Sequence, residues 1–222
     1  MTNNLHKLQS NLSHIHSRIQ ASCFKANRAI EDIRWVAISK YHSLEMIQLA
    51  LTLGLHEFGE NYTHELEEKA PHHPELSWVF TGQLQSNKIL KIMKHAKEIQ
   101  TVTSFKHAKK ISETANILNR KDYPIFIQVN VENETTKSGL SWNQAYELAR
   151  QLESLSHLKL QGVMAIPPRK WDHVSLYKET KERSLGVGNG LLSIGMSQDL
   201  ELAIEGGSDC LRLGTSLFGP RP

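Results

Sequence analysis

Cysteine is scarce in this sequence, with only Cys23 and Cys210, far apart in the 222 residues, so a disulfide framework has no support. Long apolar runs are absent as well, and none approaches the length of a membrane span. The first residues also lack a continuous signal-peptide core. Instead Leu5, Leu8, Leu12, Ile15 and Ile19 recur among His6, Lys7, His14, His16 and Arg18, a spacing that predicts a helix over about residues 5–20. With no export signal, the expected compartment is the cytoplasm and no membrane partner is expected. An excess of one charge is missing too: 26 Lys and Arg against 23 Asp and Glu leave a net charge of +3, too small to imply a polyanion partner.

Lys88, Lys91, Lys94 and Lys97 recur every third residue, with Ile89, Leu90, Ile92 and Met93 between them, and read as the solvated face of one helix. Nucleic acid binding calls for aromatic platforms or a recognisable module beside the charge, and neither is present, so no nucleic acid partner is expected. The twelve histidines offer no metal site, because His72 and His73 lie between Pro71 and Pro74 with no ligand at metal spacing and read as exposed loop residues. Asn130-Val131-Glu132-Asn133-Glu134 lacks the glycine and terminal acid of an EF-hand and reads as a solvated turn.

What the sequence does contain is an alternation of short β-rich runs with helical patterns. The runs are continuous in apolarity rather than alternating, as strands buried on both faces are. They are Arg34–Ser39, Glu57–Gly59, Trp78–Thr81, Glu98–Val102, Ile125–Asn130, Leu160–Ile166, Leu191–Gly195 and Cys210–Leu213. Between them fall helical stretches at Leu44–Leu53, Asn87–Ala96, Phe105–Leu118, Asn143–Leu155 and Leu200–Glu205. Eight β-then-α units in this length predict a (β/α)8 barrel, although an open doubly wound sheet gives a similar order of elements. No linker, composition break or low-complexity tract interrupts the chain, so residues 1–222 are expected to form one domain.

In such a barrel the working residues sit where strands end, and here those ends are rich in polar residues. Lys40 follows the apolar Trp35-Val36-Ala37-Ile38, where loss of hydration lowers a lysine pKa and frees the amine to attack a carbonyl, as a Schiff base requires. The plain alternative is a lysine reaching from a strand end into water, and on Lys40 alone that alternative is the stronger. At the last two strands, Gly195-Met196-Ser197 and Gly214-Thr215 supply hydroxyls and small residues able to cradle a phosphate. Arg212, two residues before Gly214, is placed to point into the barrel beneath that phosphate. A guanidinium donates but does not accept a proton, so beside a pyridine it keeps the ring nitrogen unprotonated. The alternative for Arg212 is an ion pair with a carboxylate such as Asp209.

These residues stand in motifs that resemble the YggS/PROSC pyridoxal phosphate homeostasis proteins over most of the chain. The motifs are Val36-Ala37-Ile38-Ser39-Lys40, Phe58-Gly59-Glu60-Asn61-Tyr62, Thr81-Gly82-Gln83-Leu84-Gln85-Ser86-Asn87-Lys88, Gln128-Val129-Asn130 and Lys137-Ser138-Gly139-Leu140. Ser193-Ile194-Gly195-Met196-Ser197-Gln198-Asp199 and Arg212-Leu213-Gly214-Thr215-Ser216-Leu217-Phe218-Gly219 complete the set.

The resemblance implies a barrel like the N-terminal domain of alanine racemase, with pyridoxal 5′-phosphate held as a Schiff base on Lys40. It further implies that Asn61 lines the pocket, that Arg212 faces the pyridine nitrogen, and that Met196, Ser197, Gly214 and Thr215 hold the phosphate. The implied role is cofactor homeostasis without catalytic turnover, with pyridoxal phosphate-dependent apoenzymes as partners, and the chain is expected to be a monomer. Two stretches depart from the family pattern. Tyr41-His42-Ser43 stands where a threonine, a lysine and a proline are usual, and residues 167–189 look shortened, leaving their helix assignment open.

The competing activity is an amino acid racemase. The expectation here is that no room remains after the eighth strand for the β-rich domain and the opposing tyrosine such enzymes use, with Tyr62 as the one nearby phenol. A sugar phosphate aldolase that uses Lys40 is a third reading. Arg212 and the motifs argue against it.

Overall fold

The computed structural model describes residues 2–132, 138–168 and 173–220. The elements run in order as α1 (Thr2–Ala26), β1 (Arg34–Ile38), α2 (Leu44–Thr52), β2 (Glu57–Glu60), α3 (Thr63–Lys69), β3 (Ser77–Phe80), α4 (Ile89–His95) and β4 (Ala96–Val102). They continue as α5 (Phe105–Ile117), β5 (Tyr123–Val129), α6 (Trp142–Leu152), β6 (Leu158–Ala165), α7 (Val174–Ser184), β7 (Leu191–Ser193), α8 (Leu200–Glu205), β8 (Cys210–Leu213) and α9 (Thr215–Phe218). Every strand pairs in parallel with its neighbours in sequence, and β8 returns to β1 with Val36 opposite Arg212, so the sheet is a closed barrel.

Two layers of core follow from strand alternation. Ala37, Phe58, Trp78, Phe80 and Ile99 face outward into the shell of helices, where each is buried. Inside the barrel, Val36, Val79 and Cys210 pack with Ile38. Gly59 belongs to this inner face, for a Cβ there would lie 2.5 Å from Ile38 Cδ1 and 2.9 Å from Val36 Cγ1. The strand lacks a side chain at that point because the lumen is already full.

Serines begin several helices. Ser43, Ser104 and Ser141 each accept a backbone N–H three residues on, and Ser141 with Gln144 completes a capping box for α6. α1 is longer than its periodicity predicts. It buries Leu8, Ile15, Ile19 and Cys23 and is tied to α8 by Arg18 to Glu201 and Lys25 to Glu205.

Several expectations need correction. The lysine repeat does not share one helix: Lys88 precedes α4, and Lys97 is an exposed residue on β4, whose strand begins earlier than expected. His72 is exposed, but His73 is buried and its Nδ1 lies 3.3 Å from Glu75, because the short turn at Ala70–His72 folds back on β3. Residues 174–184 do form a helix, α7, which buries Tyr177. Asn133, Glu134 and Lys137 lie outside the described residues.

Candidate functional site

Inside the barrel the polar residues form one continuous chain. At the bottom, Arg34 bonds Glu57 and Glu98, and Gln100 Nε2 donates to Glu98 Oε1 at 2.7 Å. Those bonds orient the Gln100 amide, so its oxygen faces Ser193 and accepts the hydroxyl at 2.9 Å. Ser193 Oγ, with its proton committed, accepts from Arg212 Nη1 at 2.7 Å. Arg212 also donates to the carbonyls of Ser193 at 2.8 Å and Ala165 at 2.7 Å, which fixes the fork across β6 and β7.

Asp209 is therefore not the partner of Arg212, and pairs instead with Lys181 and Arg28 on the outer side. The three bonds leave the Nε–H of Arg212 and one further N–H uncommitted among the described residues. Burial pulls this guanidinium below its ordinary pKa, yet an arginine remains a charged donor.

One strand over, Val36 and Ile38 face inward and Ala37 outward, and Lys40 is half-buried in the turn that follows β1. Val36 pairs with Arg212, so Arg212 sits on the strand beside β1, below the turn that carries Lys40. Asn61, just past β2, accepts from Thr81 Oγ1 at 3.2 Å and donates to the Thr81 carbonyl at 3.4 Å. Gly82 lets the β3 loop pass this close, since a Cβ there would lie 1.7 Å from the Asn61 carbonyl oxygen.

The loops after β7 and β8 meet through two hydroxyls. Ser197 Oγ lies 2.9 Å from Ser216 Oγ and accepts the Ser216 N–H at 3.0 Å. The Met196 N–H donates to Asp199 Oδ1 at 2.7 Å, and Arg18 donates to the Ser197 carbonyl at 3.1 Å. The Met196 N–H of the expected cradle is thus already occupied, and Ser216, which was not among the expected residues, joins the two loops. Gly214 is half-buried beside Ile38, Thr215 is exposed, and the exposed Met196 side chain faces solvent.

At the rim, Tyr41 is a second phenol that sequence reasoning did not weigh. Its hydroxyl lies 2.5 Å from that of Tyr62, and this bond raises the Tyr62 phenol above its ordinary pKa. His64 stacks on Tyr62, and His42 stacks on Phe218. Among the described residues no group of three or more His, Cys, Asp and Glu is arranged to hold a metal ion, and no helix is long and apolar enough to cross a membrane.

The model of the alanine racemase N-terminal domain matches residues 4–222. The pyridoxal phosphate homeostasis protein of Vibrio cholerae is 34% identical over 98% of both chains, and that of Schizosaccharomyces pombe is 35% identical over 97% of this chain and 93% of its own. Among solved structures, PipY of Synechococcus elongatus with PLP bound superposes with a TM-score of 0.80 at 27% identity, covering 96% of this chain and 100% of that one. A Clostridium difficile alanine racemase shares the fold, with a TM-score of 0.73 at 20% identity, over 99% of this chain and 58% of that one. The chain belongs to the alanine racemase N-terminal domain family and, within it, to the pyridoxal phosphate homeostasis proteins.

Proposed function

We propose that the protein, as a single-domain monomer, binds pyridoxal 5′-phosphate in the barrel mouth with Lys40 as the covalent anchor. In this reading it carries or regulates the cofactor, passing it to dependent apoenzymes, and turns over no amino acid. The observation that carries the reading is Arg212, a buried guanidinium held by neutral oxygens with two donors to spare, on the strand next to Lys40.

The donor set suits that ligand: a primary amine for an aldehyde, a guanidinium for a pyridine nitrogen, and the hydroxyls of Ser197 and Thr215 with the backbone of Gly214 for a phosphate, beside Met196, whose own N–H is held by Asp199. Asn61 borders the ring from β2. Bound there, the cofactor supplies an electron-withdrawing ring, and Arg212, unable to give up its proton, leaves the ring nitrogen unprotonated and weakens that withdrawal. The homeostasis function named for the curated relatives, and the PLP held by PipY, support a carrier.

The Tyr41 and Tyr62 hydroxyl pair keeps a racemase in view as the second reading, since racemisation needs a proton-transferring group on each face. The test of the main reading is the visible absorbance of the protein loaded with pyridoxal phosphate, before and after borohydride, with mass analysis of the reduced peptide. Lys40→Ala is expected to keep the fold and lose the absorbance, because a rim lysine is removed without opening a core cavity. An unchanged spectrum would refute Lys40 as the anchor and turn attention to Lys88 and Lys137.

A further inference from the structure

Behind Lys40, between barrel and helices, lies an ionic cluster that the cofactor reading does not use. Lys69 is only 5% exposed, Glu65 8% and Glu60 0%. All three protons of the Lys69 ammonium are taken: by Glu60 Oε1 at 2.8 Å, by Glu65 Oε2 at 2.5 Å and by the Ser39 carbonyl at 2.9 Å. Glu65 Oε2 also accepts the N–H of Tyr41 at 2.8 Å, and Glu60 Oε1 accepts the Ser39 hydroxyl at 2.7 Å. The other Glu60 oxygen is buried and has no hydrogen-bond partner among the described residues, and burial pushes this carboxyl above its ordinary pKa.

A buried ionic group of this kind is a poor source of stability, because desolvation consumes what the attraction supplies, and apolar residues of similar volume often do as well. Its contacts suggest a different use. The Ser39 carbonyl belongs to the peptide unit that enters the Lys40 Cα, and the Tyr41 N–H belongs to the unit that leaves it. Those two planes set φ and ψ at Lys40 and hence the direction of its Cα–Cβ bond. One is held by Lys69 and the other by Glu65, one helical turn apart on α3, while Tyr41 sits at φ +68°, a left-handed conformation that a non-glycine residue adopts only when its surroundings impose it.

We infer that Lys69, Glu65 and Glu60 are positioning residues that aim the Lys40 amine into the barrel mouth. This rests on Lys40 being the anchor. The bond concerned forms by addition of the neutral amine to an aldehyde carbon with loss of one water, so its rate depends on where the amine is held, whereas a ligand without an aldehyde feels only the rest of the pocket.

The experiment compares wild type with Lys69→Met using two ligands. The rate of covalent capture of pyridoxal 5′-phosphate is followed by visible absorbance, with reduction and mass analysis to identify the lysine. The affinity for pyridoxine 5′-phosphate, which carries an alcohol in place of the aldehyde, is measured by calorimetry. Capture is expected to slow by about ten- to a hundredfold, while pyridoxine 5′-phosphate binding stays within about twofold.

Equal capture rates would overturn the inference, and so would a parallel loss of pyridoxine 5′-phosphate binding, which would make the cluster a support of the whole mouth. A wild-type protein that forms no adduct at Lys40 would instead refute the reading beneath it. If Lys69→Met strands two buried carboxylates and fails to fold, the combined Glu60→Leu, Glu65→Leu, Lys69→Met variant removes all three charges at similar volume, and the same comparison is made on it.

Discussion

Replacing Ser193 by alanine isolates one link of the chain that threads the barrel. Its hydroxyl accepts from Arg212 at 2.7 Å and donates to Gln100 at 2.9 Å, in a residue with no exposed surface. The substitution removes a hydrogen bond to a charged donor, worth about 1.5–3 kcal/mol, and leaves the Gln100 oxygen without that donor. Arg212 keeps its bonds to the two carbonyls, which limits the loss, so a destabilisation of about 3 kcal/mol is expected. At roughly 2–4 °C per kcal/mol for a chain of this size, the melting temperature should fall by roughly 6–12 °C.

Gln100→Leu cuts the same link from the other side, so the two variants should not add. Urea unfolding of both single variants and the double variant, followed by circular dichroism, gives the coupling directly. It is expected to exceed about 1 kcal/mol, and additivity within about 0.5 kcal/mol would refute the idea that Gln100, Ser193 and Arg212 act as one unit.

Three other outcomes follow from the site and its supports. Ser197→Ala combined with Thr215→Val should weaken binding of pyridoxal 5′-phosphate far more than that of pyridoxal, since each hydroxyl on a phosphate is worth roughly 1.5–3 kcal/mol; equal losses in a titration would move the phosphate elsewhere. Incubated with L-alanine in deuterated water, the loaded protein should show no rapid exchange of the α-proton with inversion by NMR, and exchange that vanishes in Lys40→Ala and declines in Tyr62→Phe or Tyr41→Phe would reveal a racemase. The Arg18 hydrogen bond holds the Glu201 carboxyl below the usual carboxylate range. The stability from that pairing is therefore present above the unfolded pKa, about 4.3, and is lost as pH falls through the lower folded value. Arg18→Leu should lose less stability than wild type between neutral pH and about pH 3, and identical losses in urea midpoints would count against the pairing.

The barrel was legible because most of its strands are shielded on both faces and therefore carry a short, largely apolar run. The same double burial hid the polar lumen. A strand with no period of two gives no sign of which residues face inward, so Gln100 and Ser193 look like ordinary interruptions. Lys69, Glu65 and Glu60 were invisible for a related reason: charged residues are rarely buried unless paired, and pairing across β1, β2 and α3 is a tertiary fact. α3 itself is seven residues long with one buried leucine, too short for a helical period. Lys97 misled in the opposite way, since spacing of three continued past the residue where the chain turned into β4. Lys40 could be singled out because a charged residue at the end of an apolar run contradicts its surroundings, Arg212 because it is a charge within one, two residues before Gly214, and Ser197 and Thr215 because small polar residues cluster at the ends of the last two strands.

The seam between β1 and β8 has a consequence for synthesis of the protein. Ala37 and Leu213 are register partners although 213 − 37 = 176 residues separate them. At about 5–20 residues per second, roughly 10–35 s pass between the emergence of the strand that precedes Lys40 and that of the strand that carries Arg212. On the proposed reading, the nascent chain through most of that interval has the amine without the guanidinium, so an aldehyde meeting the ribosome-bound chain would find only an ordinary lysine. With the ligand in the proposed site, tight capture begins only when the last strand docks, and a ligand that binds only the closed barrel draws the chain toward the folded state.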